Sequence, residues 1–442
     1  MTQKILVFGA GRVARPCVQY LLRQGYEIFV ADLSKERLDY VIQGNPRGHG
    51  IQDNAGSRGG EILRQISPDL VINLLPPELM PGIARECLSQ GVHSVDPAYL
   101  DKGTASQKEA IREKGLVFIS ELGLDPGIDH MSAARTIAHI RSEGGEIRSF
   151  RSICGALPSA EANTNPWGYK LSWAPASLIG ASRRTAHIKE KGQEILWPLG
   201  ETYKHYSLEE IKGLGVFEVY ANADSLPYLD IYGIPEAESI YRGTLRYPGW
   251  CETICFMNLL SLFDEGAIPL RDMSFRDFTA SRMGKGSSEN VEADLASFLK
   301  IPAWSAVLHK FRWLGLFDTA PIPFEEGSPR DVIAWLFDKK LVYRDNERDL
   351  VLLKDEILAE YPEGSSKKHE SLLVDYGIPG GDSSIARTTG IPPAIGASLI
   401  LQGKITTPGL HIPTTREIYE PLFRELEQEG IRLEEQVIPL SR

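Results

Sequence analysis

Cysteine is scarce. The chain has five in 442 residues, Cys17, Cys87, Cys154, Cys251 and Cys255, an odd number with no CxxC pair. That excludes a disulfide framework and a paired-thiolate zinc site, so no metal is expected and a reducing, cytoplasmic setting is. Long apolar runs are also missing. No stretch of about eighteen apolar residues exists to span a bilayer, so no membrane partner is expected. The opening "MTQKILVFGAG" is broken by glycines too early for an export signal. Basic excess is absent as well: 48 Lys and Arg stand against 59 Asp and Glu, a net charge of -11. A nucleic-acid partner would want the opposite sign. There is no internal repeat and no low-complexity tract. What remains is an ordinary soluble composition, long enough for two or three domains around a large core.

The first 120 residues alternate strand and helix patterns. "KILVFGA", "EIFVAD", "DLVINLLPP", "HSVD" and "LVFIS" read as buried strands. "RVARPCVQYLLRQG", "PGIARECLSQG" and "TASQKEAIREKG" read as helices. This alternation predicts an α/β fold: an N-terminal Rossmann doubly wound parallel sheet, with ligands at the carboxyl ends of its strands. From about Arg148 the texture changes. "EIRSFRSIC", "GVFEVYAN" and "RDLVLLKDEIL" are isolated strands among Pro- and Gly-rich loops. We expect a Rossmann domain over 1–125 and an α+β substrate domain over 126–390 with a helical insertion near 255–340. Helices over 391–442 are expected to pack back on the first domain. "PPAIGASLILQG" places proline in a first helical turn. "TTREIYEPLFRELEQEGI" offers Thr as a cap and Ile418, Leu422, Phe423 and Leu426 on one face.

Gly9, Gly11 and Ala14 form G-x-G-x-x-A between a strand and a helix. The first glycine permits a tight turn and the second lets backbone approach a pyrophosphate. The small third residue lets helix pack on strand, and the helix N-terminus attracts the phosphate. Asp32 ends the next strand about twenty residues on, where an acid accepts from a ribose 2′-hydroxyl and repels a 2′-phosphate. NAD is therefore expected over NADP. Arg12, Val13, Leu33, Leu75 and Pro76 complete the expected cofactor set.

"ELGLDPGIDHM", "CGALPSAEANTNPWGYKLSW", "YRGTLRYPGW" and "ERDLVLL" together resemble the glutamate-forming saccharopine dehydrogenase family. The resemblance runs from the nucleotide loop to the final helix. It implies reversible oxidation of a secondary amine to an imine, which water splits into aminoadipate semialdehyde and glutamate. It implies Asp125 and Tyr99 at the substrate, and Arg246 with the backbone of Thr244 and Leu245 as a carboxylate clamp, the two parallel donors of arginine suiting both oxygens. It assigns Lys170 to proton transfer or carboxylate binding and Cys154 to the nicotinamide region. Each has a plainer reading beside it: a turn acid, a surface lysine, a small buried thiol. Asp129 is expected to cap the helix "HMSAARTIAHI". His130 is expected to be structural, and Glu121 stands open between cofactor and structure.

Two positions depart from the family pattern. Ala98 stands where the family usually has serine. Ala223, in "NADS", stands where it has an arginine for a substrate carboxylate. Either another cation takes over, or the amine partner differs, a diamine or agmatine that Asp224 would meet. Three readings follow: a saccharopine-type dehydrogenase, a polyamine-type reductive condensation, and a nucleotide-binding Rossmann protein without turnover. The expected partner is a small amino-acid or polyamine substrate; a homodimer is allowed.

Overall fold

Two short apolar runs start a parallel sheet. In this computed structural model, which describes residues 2–172 and 175–440, β1 (Lys4–Phe8) lies beside β2 (Glu27–Asp32), Val7 opposite Val30. Helix α1 (Ala14–Arg23) joins them, with seven of its ten residues buried. Then come α2 (Lys35–Ile42), β3 (Gly48–Gln52), α3 (Ala55–Ile66), β4 (Leu70–Asn73), α4 (Met80–Gln90) and β5 (His93–Val95). α5 (Lys102–Ala105), α6 (Lys108–Glu113), β6 (Val117–Ile119), α7 (Ile128–Ser142) and β7 (Glu146–Pro158) follow. Ser34 and Asn54 cap α2 and α3, accepting from Arg37 N and Ser57 N at 3.3 and 3.1 Å. Such caps satisfy amides that a helix leaves unpaired.

The chain then enters a second unit, α8 (Pro175–Ala181), β8 (Ala186–Glu190), β9 (Gln193–Trp197), β10 (Ser207–Ile211), β11 (Gly215–Ala221), α9 (Pro227–Ile231) and β12 (Ser239–Arg246). A helical stretch follows, α10 (Trp250–Leu259), α11 (Phe275–Ser281), α12 (Val291–Leu299), α13 (Ala306–Leu314) and α14 (Pro329–Lys340), with the small ladder β13 (Ile268–Pro269) and β14 (Glu326–Gly327). β15 (Asp349–Glu360), β16 (Ser366–Tyr376), α15 (Ser384–Leu401), β17 (Gly409–His411), α16 (Arg416–Gln428) and β18 (Leu433–Leu440) complete the chain.

Two compact units result. Unit 1 comprises 1–148, 231–236 and 353–442; unit 2 comprises 149–230 and 237–352. The divisions fall inside β7 and β15 rather than at 125 and 390. Unit 1 carries a seven-stranded sheet ordered β17-β6-β5-β4-β1-β2-β3, every pair parallel. Its order reverses between β1 and β4, which opens the crevice where such sheets take ligands. Leu6, Phe8, Val71, Ile83 and Phe118 form the core against α3 and α4. In unit 2, β12 runs parallel to β7 and antiparallel to β11, and β10 and the β8–β9 hairpin extend this mixed sheet.

Three expectations for the last residues change. Pro392 and Pro393 lie inside α15, not in its first turn, because the helix starts eight residues before Pro392, at Ser384, with Ser383 as its cap. It is buried on nearly all sides, so packing outweighs the proline break. Thr415 stands at the α16 cap position without a side-chain bond, though Ile418, Leu422, Phe423 and Leu426 are buried as expected. Strands β17 and β18 stand among helices where only helix was foreseen. Among the described residues, no helix is long and apolar enough to cross a membrane.

Candidate active site

The dinucleotide loop lies at the reversal of the unit 1 sheet. Gly9 has φ +97, and a Cβ there would sit 2.9 Å from the Leu74 carbonyl. Only glycine fits both demands. A Cβ on Gly11 would meet nothing within 4 Å, so the backbone faces open space. Ala14, fully buried, begins α1, whose N-cap Val13 makes no side-chain bond and whose first turn holds no acid. An uncapped helix start of this kind suits a phosphate. Leu75 and Pro76 follow β4, beside Gly9, and Leu75 N donates to Asn73 at 3.3 Å. Arg12 and Leu33 are exposed at the rim. The residues present therefore fit a pyridine dinucleotide.

Asp32 sits as foreseen at the end of β2, but its carboxylate has local work. Oδ2 accepts from Ala10 N at 2.8 Å and Oδ1 from Ser34 N at 2.9 Å. It ties the first loop to the second, so its presence is explained without a ribose. That weakens it as a reporter of NAD.

The "ELGLDPGIDH" loop joins β6 to α7 through a cis Asp125–Pro126 bond. Gly127, at φ +145, packs so closely on Gly123 that a Cβ would lie 2.1 Å from its carbonyl oxygen. Tyr99, 45% exposed, donates from its hydroxyl to Asp125 Oδ1 at 3.1 Å. The structure thus pairs two residues expected at the substrate. Asp129 lies one residue inside the α7 start and accepts from the cap residue's amide, Gly127 N, at 2.5 Å. His130 is fully buried, with Nε2 2.6 Å from Glu121 Oε2 and Nδ1 2.9 Å from the Tyr232 hydroxyl.

Unit 2 assembles a second group. Cys154 on β7 lies opposite Thr244 on β12, and Leu245 and Arg246 follow. Arg246 is 9% exposed, lies 4.9 Å above the Tyr169 ring and 5.4 Å from the Trp250 ring, and bonds Leu245 O through Nη1 at 2.7 Å. Its Nε has no protein partner, an orphaned donor in a buried place. Burial pulls its pKa down, but the phenols of Tyr220, Tyr169 and Tyr203 raise it, and the net direction is up. Lys170, next to Tyr169, is 3% exposed rather than a surface lysine. Its Nζ bonds Glu347, and Thr164 Oγ1 at 3.1 Å. Burial tends to raise the Glu347 carboxyl, and the Arg344 amide and Lys170 outweigh it and lower it. Trp173, which ends the same motif, lies outside the described residues.

Asp224 stands apart from this group. It follows β11, where Asn222 N donates to Arg242 O at 2.8 Å. Arg242 is four residues before Arg246 on β12, roughly 13 Å along a strand. The Asp224 side chain is 55% exposed, and His187 Nδ1 is 3.6 Å away. Ala223 holds φ +55, a left-handed backbone. Sequence reasoning missed Glu347, Thr164, Tyr169 and Trp250. All four lie in the quoted motifs, Glu347 as the first residue of "ERDLVLL", but Glu347 reaches Lys170 across 177 residues, a pairing no spacing reveals.

A Rossmann unit with a fitted dinucleotide loop, in a chain whose second unit buries an arginine, is the make-up of a pyridine-nucleotide-linked oxidoreductase. Residues 5–119 match the family described as "Saccharopine dehydrogenase NADP binding domain" and residues 123–431 its "C-terminal domain". The chain is 32% identical over 448 residues to saccharopine dehydrogenase [NADP(+), L-glutamate-forming] of Schizosaccharomyces pombe, covering 98% of this chain and 99% of that protein. It is 31% identical to alpha-aminoadipic semialdehyde synthase of Bos taurus, covering 97% of this chain but 47% of that protein. The solved apo saccharopine dehydrogenase (L-Glu forming) of Saccharomyces cerevisiae matches with a TM-score of 0.89 and 30% identity, covering 99% of this chain and 100% of that one. The chain belongs to the saccharopine dehydrogenase family and is an oxidoreductase acting on CH–NH donors, which removes the reading of a nucleotide binder without turnover. Of the cofactor expectation, the pyridine nucleotide stands; the matching domain and the relatives carry NADP in their names.

Proposed function

We propose that this chain catalyses the reversible oxidation of saccharopine to aminoadipate semialdehyde and glutamate. The observation that carries it is Arg246, a buried guanidinium with an orphaned Nε, caged by Tyr169 and Trp250 and adjoining Cys154 and Lys170. Such a group binds a carboxylate, and an amino-acid adduct supplies several. The bound dinucleotide supplies the hydride acceptor. Asp125, which accepts a bond from Tyr99, meets the substrate nitrogen. That nitrogen loses a proton as its C=N bond forms; water then adds at the carbon, and the C–N bond breaks to aldehyde and amine. Lys170, held by Glu347 and Thr164, stands ready to hold a carboxylate or move a proton to nitrogen or water.

The relatives' names support NADP. Asp32 supports NAD as a second reading, because any carboxylate there repels a 2′-phosphate. The ratio of kcat/KM with NADPH and with NADH decides: preference for NADPH retains the relatives' cofactor, and preference for NADH restores Asp32. Ala223 likewise favours a second substrate reading, a cationic diamine or agmatine in place of glutamate. Absorbance at 340 nm tests both, with reduced dinucleotide and aminoadipate semialdehyde offered glutamate and then agmatine or diamines. Consumption with glutamate supports the proposal. Consumption only with a cationic amine overturns it in favour of the second. The net charge of -11 supports a small-molecule partner and no nucleic acid, and the cysteine usage supports a cytoplasmic setting.

A further inference from the structure

Asp125 and Asp129 explain two of the three acids in "ELGLDPGIDH"; Glu121 is the third. It is 7% exposed and holds φ +59. Its backbone N–H donates to the Ala98 carbonyl at 3.0 Å, and its Oε1 accepts from Leu100 N at 2.9 Å. Those two residues flank Tyr99. Its other oxygen faces His130 Nε2, and His130 Nδ1 faces Tyr232. A phenol donating to Nδ1 leaves the hydrogen on Nε2, which then donates to the carboxylate, so a neutral imidazole satisfies every partner.

Burial alone requires no acid at this place. An apolar residue would fill it without the cost of a desolvated charge. What the acid adds is a double grip on the backbone either side of one tyrosine. It lies four residues before the aspartate that the tyrosine contacts. Tyr99 is 45% exposed, so packing by itself leaves its ring mobile, and its approach to Asp125 depends on where its backbone is held. Asp125 shares its loop with Glu121, and that loop is fixed in turn by Leu122 N to Asp96 O at 3.0 Å and Gly123 N to Pro126 O at 2.8 Å.

We propose that Glu121, held by His130 and Tyr232, is a positioning residue that sets the Tyr99 hydroxyl against Asp125. This rests on the reading of Tyr99 and Asp125 as substrate-facing. The test compares Glu121→Ala, Glu121→Gln, Tyr99→Phe and the double variant Glu121→Ala/Tyr99→Phe in saccharopine oxidation. Tyr99→Phe and Glu121→Ala each lower kcat/KM for the amine by about tenfold to a hundredfold, with the dinucleotide KM unchanged. Glu121→Gln retains an acceptor for Leu100, and its NH2 donates to His130 Nε2 once the imidazole takes its other tautomer and Nδ1–H donates to the Tyr232 hydroxyl, so it recovers most of the loss. In the double variant the second change adds nothing, because Glu121 acts through Tyr99. Losses that multiply overturn the proposal, since independent effects combine in that way.

A readout without turnover separates this proposal from the proposed reaction. With 3-fluorotyrosine at position 99, the ¹⁹F resonance shifts in Asp125→Asn, and Glu121→Ala shifts it in the same direction. A resonance that stays in place in Glu121→Ala overturns the positioning role, whether or not any amine is oxidised. Should Glu121→Ala fail to fold, Tyr232→Phe carries the comparison by cutting the far end of the relay. A smaller shift and a smaller loss of kcat/KM are then expected, and no change in either overturns the proposal.

Discussion

Asp96 lies beneath the Tyr99 loop, its carboxyl turned inward although the residue as a whole is partly exposed. Burial pushes its pKa up to about 7, against donors from Ser120 and Ala98 and with help from Glu121. A carboxyl whose folded pKa lies above its unfolded value of 3.8 stabilises the fold most at low pH. That contribution is full below about pH 4 and is lost as pH rises through 7, an upper bound of roughly 4 kcal/mol. Urea unfolding at pH 4.5, 6 and 7.5 is expected to show declining stability, and Asp96→Asn to flatten the decline. Parallel declines in both proteins would sink this assignment. Glu347→Gln strands the Lys170 cation in a buried place and is expected to cost about 3–5 kcal/mol. Chemical denaturation showing a loss below about 1 kcal/mol would mean the pair is not desolvated. At this scale the quoted stretches named Tyr99 and Asp125, which the structure joins by a hydrogen bond, and Arg246, which it buries. The sequence was silent on a pairing across the chain, Lys170 with Glu347, and on the local bonds of Asp32, whose oxygens accept from Ala10 N and Ser34 N.

Among elements, the parallel order followed from strict alternation of apolar runs and helices. β3 escaped because "GHGIQ" has two glycines where strands prefer branched side chains. The structure explains the first: a Cβ on Gly48 would lie 2.6 Å from Ile42 Cγ2, so α2 crowds β3 there, whereas one on Gly50 would make ordinary contact with Leu38 Cβ at 3.4 Å. β17 escaped because three residues are too few to show a period. The proline pair in α15 misled because propensity is local and burial is not. α15 also bears on the site. A Cβ on Gly390 would sit 2.1 Å from the Val13 carbonyl oxygen, so the helix presses against the loop that would cradle the pyrophosphate. Gly390→Ala is expected to cost about 1–3 kcal/mol by overpacking and to raise the dinucleotide KM with the amine KM unchanged. Unaltered dinucleotide binding would show that the loop is set from elsewhere.

For the whole molecule, the dinucleotide loop, the Asp125–Tyr99 pair and the His130 network belong to unit 1, while Arg246, Lys170 and Cys154 belong to unit 2. Dinucleotide at a hundred times its Kd is expected to stabilise the folded chain by about 2.7 kcal/mol. Hydrogen exchange read alongside should slow first at residues 5–15 and 70–76. Slowing spread evenly over both units would contradict the placement of the loop. The switch from a Rossmann pattern to an α+β pattern was legible from texture alone. The return of the chain to its first unit as strand as well as helix was not, because β17 finds its neighbour β6 some 290 residues back.

That return has a consequence during synthesis. Strand β6, at Val117–Ile119, pairs with β17, at Gly409–His411. At roughly 5–20 residues per second, the ribosome takes roughly 15 s to a minute to travel between them. For that interval the first sheet has an open apolar edge and α1 has no α15 to cover it. The nascent Rossmann half is then a client for chaperones, and a message truncated anywhere before the last strands leaves unit 1 incomplete even where unit 2 is whole.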